Sequence, residues 1–517
     1  MTLTLTPKRI GLLLAIATTV LVLVNQRSVG IARDETVYFT AGDHYADWWV
    51  KTLTFRSHAT IAQTFGGAFG GEANPEHPPL LKLASGLSHR WLPFAGELTA
   101  YRLPSAILHG VCAYLVFAFA LELWGLAEAV LAALCLIVLP RALFHAGLDC
   151  FDAPSMALWF ATIYAYWRCL DGRRWPWQVG VAWGLALATK HTALLLPFAL
   201  GVHLVAISIR ARRIEHWRVV ISLAVLGPLT LFVLWPWLWS APIAHVRDWL
   251  AFHMHHVHYN FEYLGVNWNA PPFPWHVAIV TTLLTVPAAT LVAAVIGACV
   301  MRKRGELKLP SVLLLVSACA SIGPFFLGTT PIFGAEKHWM PILPTLCIAA
   351  GVGAAWAARK AGEAIGRPRI ATIVVGGGLV LAGASEVIAA EPYALTWYSA
   401  LAGGDAGGAD LGMNRQFWGV AARGVLAEIA KQPPAPVYTH DASPAWGWYQ
   451  RLGLVPKGYP DAGHEAAGIA ASKLAIVIHE KHFNRHDYMI WKAYGTVQPI
   501  FVLRANGVPI VSLYKRP

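Results

Sequence analysis

The sequence predicts a multi-span α-helical membrane protein with about eleven transmembrane helices, amphipathic helices in the outer loops and a small C-terminal α/β extracytoplasmic domain. Three observations carry this reading. The 517 residues are 56% hydrophobic and only 13% charged, with a mean hydropathy of +0.50, whereas a soluble domain is about one quarter charged. Apolar runs near the ~20 residues that span hydrocarbon recur through most of the chain. Basic residues collect between those runs, so the net charge of +12 belongs to membrane-flanking loops and no nucleic-acid partner is expected. The 23 Trp and 33 Pro suit interfacial aromatic belts and interrupted helices.

The runs lie near 10–25, 104–123, 127–145, 153–170, 178–190, 192–209, 219–239, 276–300, 311–328, 340–358 and 370–390. "VGVAWGLALATKHTALLLPFALGVHLVAISI" is too long for one span, so two short helices broken near Lys190–His191 are expected. Lys8 and Arg9 place the N-terminus in the cytoplasm. "DGRRW", "RARRIEHWR", "MRKRGELK" and "ARKAGEAIGRPR" then all fall on the inner side, which supports eleven spans and an outer C-terminus. "LVLVNQRSVG" lacks a small-residue cleavage site, so the first run reads as a retained anchor. "GGG" at 376–378 lies within a span and reads as helix packing.

The seven cysteines lie in or beside spans, and neither a disulfide framework nor a Cys/His zinc spacing emerges. This topology divides the chain into a membrane unit, 1–390, and an outer domain, 391–517. Two outer loops, 26–103 and 240–275, belong to the membrane unit. In the outer domain "RQFWGVAARGVLAEIAKQ" has helical spacing, and "APVYTH" and "KLAIVIHE" read as buried strands. "IFVLRANGVPIVSLYKR" reads as a hairpin turning at Asn506-Gly507. Trp446, Trp448 and Tyr449 read as core of this domain. In the second loop, His253 and His256 share a helical face, but an amphipathic helix with Trp249, Phe252 and Tyr259 toward lipid explains them better than a metal site.

Many ionisable residues fall near span ends on the outer side. The carboxylates are Asp34, Glu35, Asp149 and Asp152; the cations and imidazoles are Arg33, His77, Lys82, Arg102, Arg141, His145, Lys190, His191, Lys337 and His338. Charges at the edge of hydrocarbon are costly unless paired or functional. Snorkelling and interfacial ion pairs account for any single residue about as well as function does. The whole set on one face points instead to a polar cavity with carboxylates for proton transfer and cations for an anionic group.

These residues carry a resemblance. "RDETVYF" after the first run, "NPEHPPLLKL" (74–83), "YRLPSAILHG" (101–110), "LPRALFHAGLDCFDAPSMAL" (139–158), "ATKHTALLLPF" (188–198) and "GAEKHWMPILP" (334–344) resemble, in order and in side of the membrane, the motifs of GT-C glycosyltransferases. The branch they resemble is glycosyltransferase family 39, which holds protein O-mannosyltransferases and aminoarabinose transferases, and the likeness covers roughly 1–400. "LTWYSALAGGDAGGADLGMNRQFWG" (395–419) resembles the exit from the last span in bacterial members.

The resemblance implies transfer of a sugar, with inversion, from a polyprenyl-monophosphate donor to an acceptor hydroxyl or phosphate. It also implies an outer-face site in the bacterial inner membrane. Asp34 is the expected base; Glu35 supports it, and Asp152, with Asp149 as alternate, orients the acceptor or a metal. Arg102, Arg141, Lys337, His338 and His77 are expected at the donor phosphate, with Glu76, His145 and Lys190 as further site residues. His77 stands where some relatives carry Lys, so its contact with phosphate depends on protonation. No resident metal is assigned, although Mg²⁺ or Mn²⁺ is compatible with the chemistry. Sugar and acceptor stay open among protein, lipid and glycan acceptors. Two other classes compete: a secondary transporter, which needs midplane charges and inverted repeats, and a non-catalytic membrane receptor, which does not need Asp34.

Overall fold

In a computed structural model of the protein the described residues are 6–56, 59–67, 74–172, 175–303 and 308–517. Helix α1 (Pro7–Asn25) leads into α2 (Arg33–Leu53), the short α3 (Ile61–Phe65) and α4 (Leu80–Trp91) of the first outer loop. Then follow α5 (Glu97–Leu123), α6 (Leu126–Ile137), α7 (Pro140–Ala146), α8 (Asp152–Cys169), α9 (Trp177–Leu187), α10 (Leu196–Ala211) and α11 (Trp217–Leu234). The short α12 (Trp237–Ser240) and α13 (Pro242–Met254) occupy the second outer loop, before α14 (Val277–Thr285), α15 (Ala288–Lys303), α16 (Lys308–Ile322), α17 (Leu343–Ile365) and α18 (Pro368–Ala390).

Each predicted span falls on one of these helices or on two joined by a bend. Among the described residues seven segments are long and apolar enough to cross a membrane, and two bent pairs, α6–α7 and α14–α15, raise this to nine. The remaining two predicted spans are α8 and α9. α8 is buried along most of its length and α9 has only 11 residues, so neither shows the unbroken apolar surface of a lipid-facing helix. Proline explains both bends: Pro140 opens α7 after a 69° turn, and Pro287 lies in the 117° break after α14. The expected break near Lys190 is present; α9 ends at Leu187 and Lys190 is extended. The Ala188 carbonyl it frees accepts the Leu80 N–H at 2.9 Å, which ties the first outer loop to the break.

Helices α2 and α4 pack along each other, and their closest approach is Gly42 against Gly86. A Cβ on Gly86 would overlap the Gly42 carbonyl oxygen. The "GGG" segment is less uniform than expected. Gly376 packs on Leu131, whereas Gly377 and Gly378 face open space.

In the second outer loop, β1 (Phe261–Tyr263) pairs antiparallel with β2 (Val266–Trp268). Leu264 and Gly265 both turn at positive φ between them, the geometry of a tight hairpin. Trp249 departs from the expected lipid-facing position: it is 3% exposed and meets Trp235 edge-on at 5.8 Å, because α13 turns that face toward α11. Beyond α18, helices α19 (Gly404–Asp410), α20 (Leu426–Ala430) and α21 (Ser443–Arg451) surround a sheet of order β3-β4-β6-β5. β3 (Val437–Tyr438) runs parallel to β4 (Leu474–Ile478), and β5 (Phe501–Ala505) and β6 (Val508–Lys515) form the hairpin turning at Asn506-Gly507. Trp446 and Tyr449 are buried in its core, and that core also takes in Ile31, Phe39 and Tyr101 of the membrane unit. The tail is thereby packed directly on the start of the first outer loop.

Candidate active site

The first acidic motif forms the first turn of α2. Burial at Glu35, Tyr38, Phe39, Gly42, Tyr45 and Trp48 follows helical spacing. Glu35 accepts the Ala32 N–H at 2.8 Å and caps its own helix. Its two oxygens also meet Arg102 Nε and Nη2 at 2.7 Å each, and one accepts the Asp149 N–H at 2.8 Å. Arg102 directs its other donors to the Gln26 and Gly30 carbonyls. Both side chains of the pair are 0% exposed. Arg102 is therefore not presented to a donor phosphate: its donors are consumed in holding α1, α2 and the second acidic motif together. Asp34, one step round the helix, is half-buried with its side chain 29% exposed, and its close charge contact is Arg33 Nε at 3.8 Å.

The second acidic motif lies between α7 and α8. Asp149 is buried; Ser85 Oγ donates to its Oδ1, and its Oδ2 has no hydrogen-bond partner among the described residues. Burial pushes the Asp149 carboxyl well above the usual range. Asp152 opens α8 and pairs with Lys190 Nζ at 2.7 Å. Lys190 also donates to the Lys337 carbonyl at 3.1 Å, which brings the α9–α10 break onto the turn before α17.

In that turn, Lys337 Nζ lies 4.2 Å from the Trp418 ring and 5.1 Å from Phe333. Burial pulls the Lys337 ammonium down, and the carboxylates acting on it are Asp34 and Asp152. Arg141 is placed differently from the expectation. It pairs with Glu336 at 2.8 Å, donates to the Leu395 and Trp397 carbonyls and stacks at 4.7 Å on Tyr398. Its guanidinium thus fastens α7 to the exit from α18. His145 is fully buried 3.5 Å from Glu336.

His77 accepts or donates through Nδ1 to Tyr38 OH at 2.9 Å and lies parallel to His253 at 6.2 Å; His253 stacks on His191 at 3.6 Å. Burial, with Lys82 and the neighbouring histidines, holds His77 well below 6.5, so it brings no positive charge at neutral pH. His338 is likewise pushed well below 6.5 by burial, and its Nε2 meets the Phe333 carbonyl at 2.6 Å. Glu76 is half-buried beside His77. The fold therefore gathers Asp34, Asp152, Lys190, Lys337, His77 and His191 at one end of the helices, and diverts Arg102 and Arg141 into structural pairs. An apolar groove of about 990 Å³ lies between α9, α11 and α13, lined by Leu187, Leu231, Phe232, Val246 and Leu250.

Sequence reasoning missed Glu336, Trp418 and Asp441. Glu336 was legible in principle, since an acid beside a buried Lys–His pair in "GAEKHWMP" signals a partner for another buried cation. Trp418 and Asp441 arrive from the tail, and no local signal points to them.

Comparison with known proteins follows from this geometry. Residues 76–239 match the family described as dolichyl-phosphate-mannose-protein mannosyltransferase. ArnT from Cupriavidus metallidurans, solved bound to undecaprenyl phosphate, is similar in fold. It shares 14% identity over 97% of each chain, with a TM-score of 0.54. The Archaeoglobus fulgidus oligosaccharyltransferase in its apo form is similar at 12% identity over 94% of this chain and 72% of that one, with a TM-score of 0.51. The archaeal oligosaccharyltransferase AglB from the same organism, solved with an inhibitory peptide and a dolichol-phosphate, matches at 10% identity, 97% and 74% coverage and a TM-score of 0.50. No curated protein matches the chain by sequence.

Proposed function

We propose that this integral membrane protein, a glycosyltransferase of the GT-C superfamily similar to family 39, moves a sugar from a polyprenyl-monophosphate donor to an acceptor on the outer face of the membrane, with inversion and with Asp34 as base. The observation that carries the reading is the difference between Asp34 and its neighbours. Glu35, Asp152 and Glu336 are buried in ion pairs, and Asp149 is buried with no cation in contact among the described residues. Asp34 keeps access to solvent, and its ion contact among the described residues is Arg33 at 3.8 Å. A base must reach the acceptor hydroxyl, and Asp34 meets that requirement.

The reaction balances as a single displacement. The acceptor oxygen bonds to the anomeric carbon as its proton passes to Asp34, and the bond from that carbon to the phosphate oxygen breaks, releasing polyprenyl phosphate. Lys337 faces the leaving phosphate, with Lys190 behind it on Asp152. The polyprenyl chain lies in the apolar groove between α9, α11 and α13. The N-terminus is cytoplasmic, 1–390 is the catalytic unit, and 391–517 is an extracytoplasmic domain closing the site from outside. The membrane is a bacterial inner membrane.

The test uses purified protein in vesicles of extracted cell-envelope lipid and protein. Its readout is release of polyprenyl phosphate from undecaprenyl-phosphate-linked hexose and pentose donors. Asp34→Asn abolishes release with the donor on which the parent turns over fastest. Parental turnover by this variant removes Asp34 from the role of base.

A further inference from the structure

Arg33 stands between carboxylates from distant parts of the chain. Its Nη1 donates to Asp441 Oδ1 at 2.8 Å, while its Nε is 3.8 Å from Asp34 Oδ1. Asp441 belongs to the tail, in the turn that precedes α21. Glu480, also from the tail, acts on the same guanidinium; it is 5% exposed, and its Oε1 has no hydrogen-bond partner among the described residues. The backbone is fixed by the same region. The Arg33 N–H donates to the Trp418 carbonyl at 3.0 Å, and the Ile31 N–H to Tyr449 OH at 2.9 Å.

A guanidinium near a base has two opposed effects. At ion-pair distance without a hydrogen bond it orients the carboxylate and leaves its lone pairs open. In full hydrogen-bonded contact it occupies those lone pairs and lowers the carboxylate's proton affinity by about one to three pKa units. The 2.8 Å bond to Asp441 holds Arg33 in the first arrangement.

We infer that Asp441 is a positioning residue for sugar transfer: it draws Arg33 off Asp34 and so keeps the Asp34 oxygens free for the acceptor's proton. This rests on the reading of Asp34 as base. The charged groups facing Asp34 are Arg33 on its own helix, Lys337 from the turn before α17, and Asp441 from the tail, with Glu480 reaching it through Arg33. When the Asp441 charge is removed, Arg33 turns to Asp34 rather than to Glu480. Burial, the largest cause that pushes the Glu480 carboxyl up, persists once the repulsion from Asp441 is gone, and Arg33 Nε already lies 3.8 Å from the partly exposed Asp34.

The experiment uses the full chain in the same vesicles and donor, with parent, Asp34→Asn, Asp441→Asn, Asp441→Glu, Arg33→Gln and the Asp441→Asn/Arg33→Gln pair. Asp441→Asn lowers kcat about tenfold and leaves donor KM within about twofold, because a base whose lone pairs are occupied by a guanidinium takes the acceptor's proton more slowly. The acid limb of its kcat profile moves to lower pH. Arg33→Gln moves that limb the other way, since a cation leaves Asp34. The double variant behaves like Arg33→Gln alone, and Asp441→Glu restores the parental rate. An unmoved acid limb, or additive losses in the double variant, reduces Asp441 to a docking contact and overturns the inference. The Arg33→Gln shift keeps the test decisive should Asp441→Asn melt early. Activity in Asp34→Asn overturns the base reading and the inference together, whereas a dead Asp34→Asn with unmoved limbs overturns the inference alone.

Discussion

Arg102→Met separates a structural from a phosphate-binding role for this guanidinium. In the fold Arg102 and Glu35 are fully buried and joined by two 2.7 Å contacts. The substitution leaves the Glu35 carboxylate buried beside hydrocarbon, a loss of about 3–5 kcal/mol. The carbonyls of Gln26 and Gly30 lose donors as well, each worth about 1 kcal/mol net. Glu35→Leu added to Arg102→Met removes the stranded charge but recovers only part of the loss. Glu35 also receives the Ala32 and Asp149 N–H groups, and each buried donor left unmet costs about 1–3 kcal/mol. The assay is thermal unfolding in lipid nanodiscs beside binding of undecaprenyl phosphate. Arg102→Met melts well below the parent, and the double variant falls between them. The fraction that remains folded binds the lipid with parental affinity. Parental melting with weakened lipid binding would refute the structural role and return Arg102 to the phosphate.

Three further outcomes follow from the geometry. Lys337→Met removes an ammonium that has aromatic faces but, among the described residues, no hydrogen-bonded carboxylate in contact. Undecaprenyl phosphate affinity in nanodiscs drops by roughly 1.5–3 kcal/mol, the worth of one charge-assisted contact, with little change in melting. Tyr449→Phe strands the buried Ile31 N–H and lowers stability by about 1–3 kcal/mol, seen as earlier proteolytic release of the tail. Burial holds His479 and His482 at about 4 against an ordinary 6.5. The fold favours their neutral form, so their stabilisation is complete above pH 6.5 and is lost as pH falls from 6.5 toward about 4. His479→Gln flattens the melting decline over that window.

The helices were legible because hydropathy and length determine them locally. Even the break at Lys190 was readable, as an apolar run too long for one span that carries a Lys–His pair at its middle. The helical form of the first acidic motif is legible in the stripe Tyr38, Gly42, Tyr45 and Trp48, whose period is helical and which the fold buries. In the sequence the carboxylates stand out by position, whereas the cations stand out by sign alone. Choosing between a phosphate and a carboxylate partner for Arg102 or Arg141 needs contacts across 67 and 195 positions, and no periodicity encodes those. The imidazoles failed for a related reason. Charge on His77 depends on burial and on Lys82 beside it, both products of tertiary packing.

The same pairings sharpen the proposed chemistry by narrowing the cations. With Arg102 and Arg141 committed elsewhere and His77 and His338 neutral, Lys337 is the ammonium whose contacts are aromatic rings rather than a carboxylate. In the proposed displacement the donor phosphate begins as a diester with one negative charge and leaves as a monoester with up to about two. Over the same step Asp34 takes a proton and loses its charge. Negative charge thus moves from one neighbour of Lys337 to the other while the ammonium stays in place. A buried ammonium with no acceptor among the described residues gains most from the charge that develops on the leaving group. That difference, not the number of cations around the lipid phosphate, is what raises kcat. It follows that adding a cation by His77→Lys tightens the product polyprenyl phosphate more than it speeds transfer.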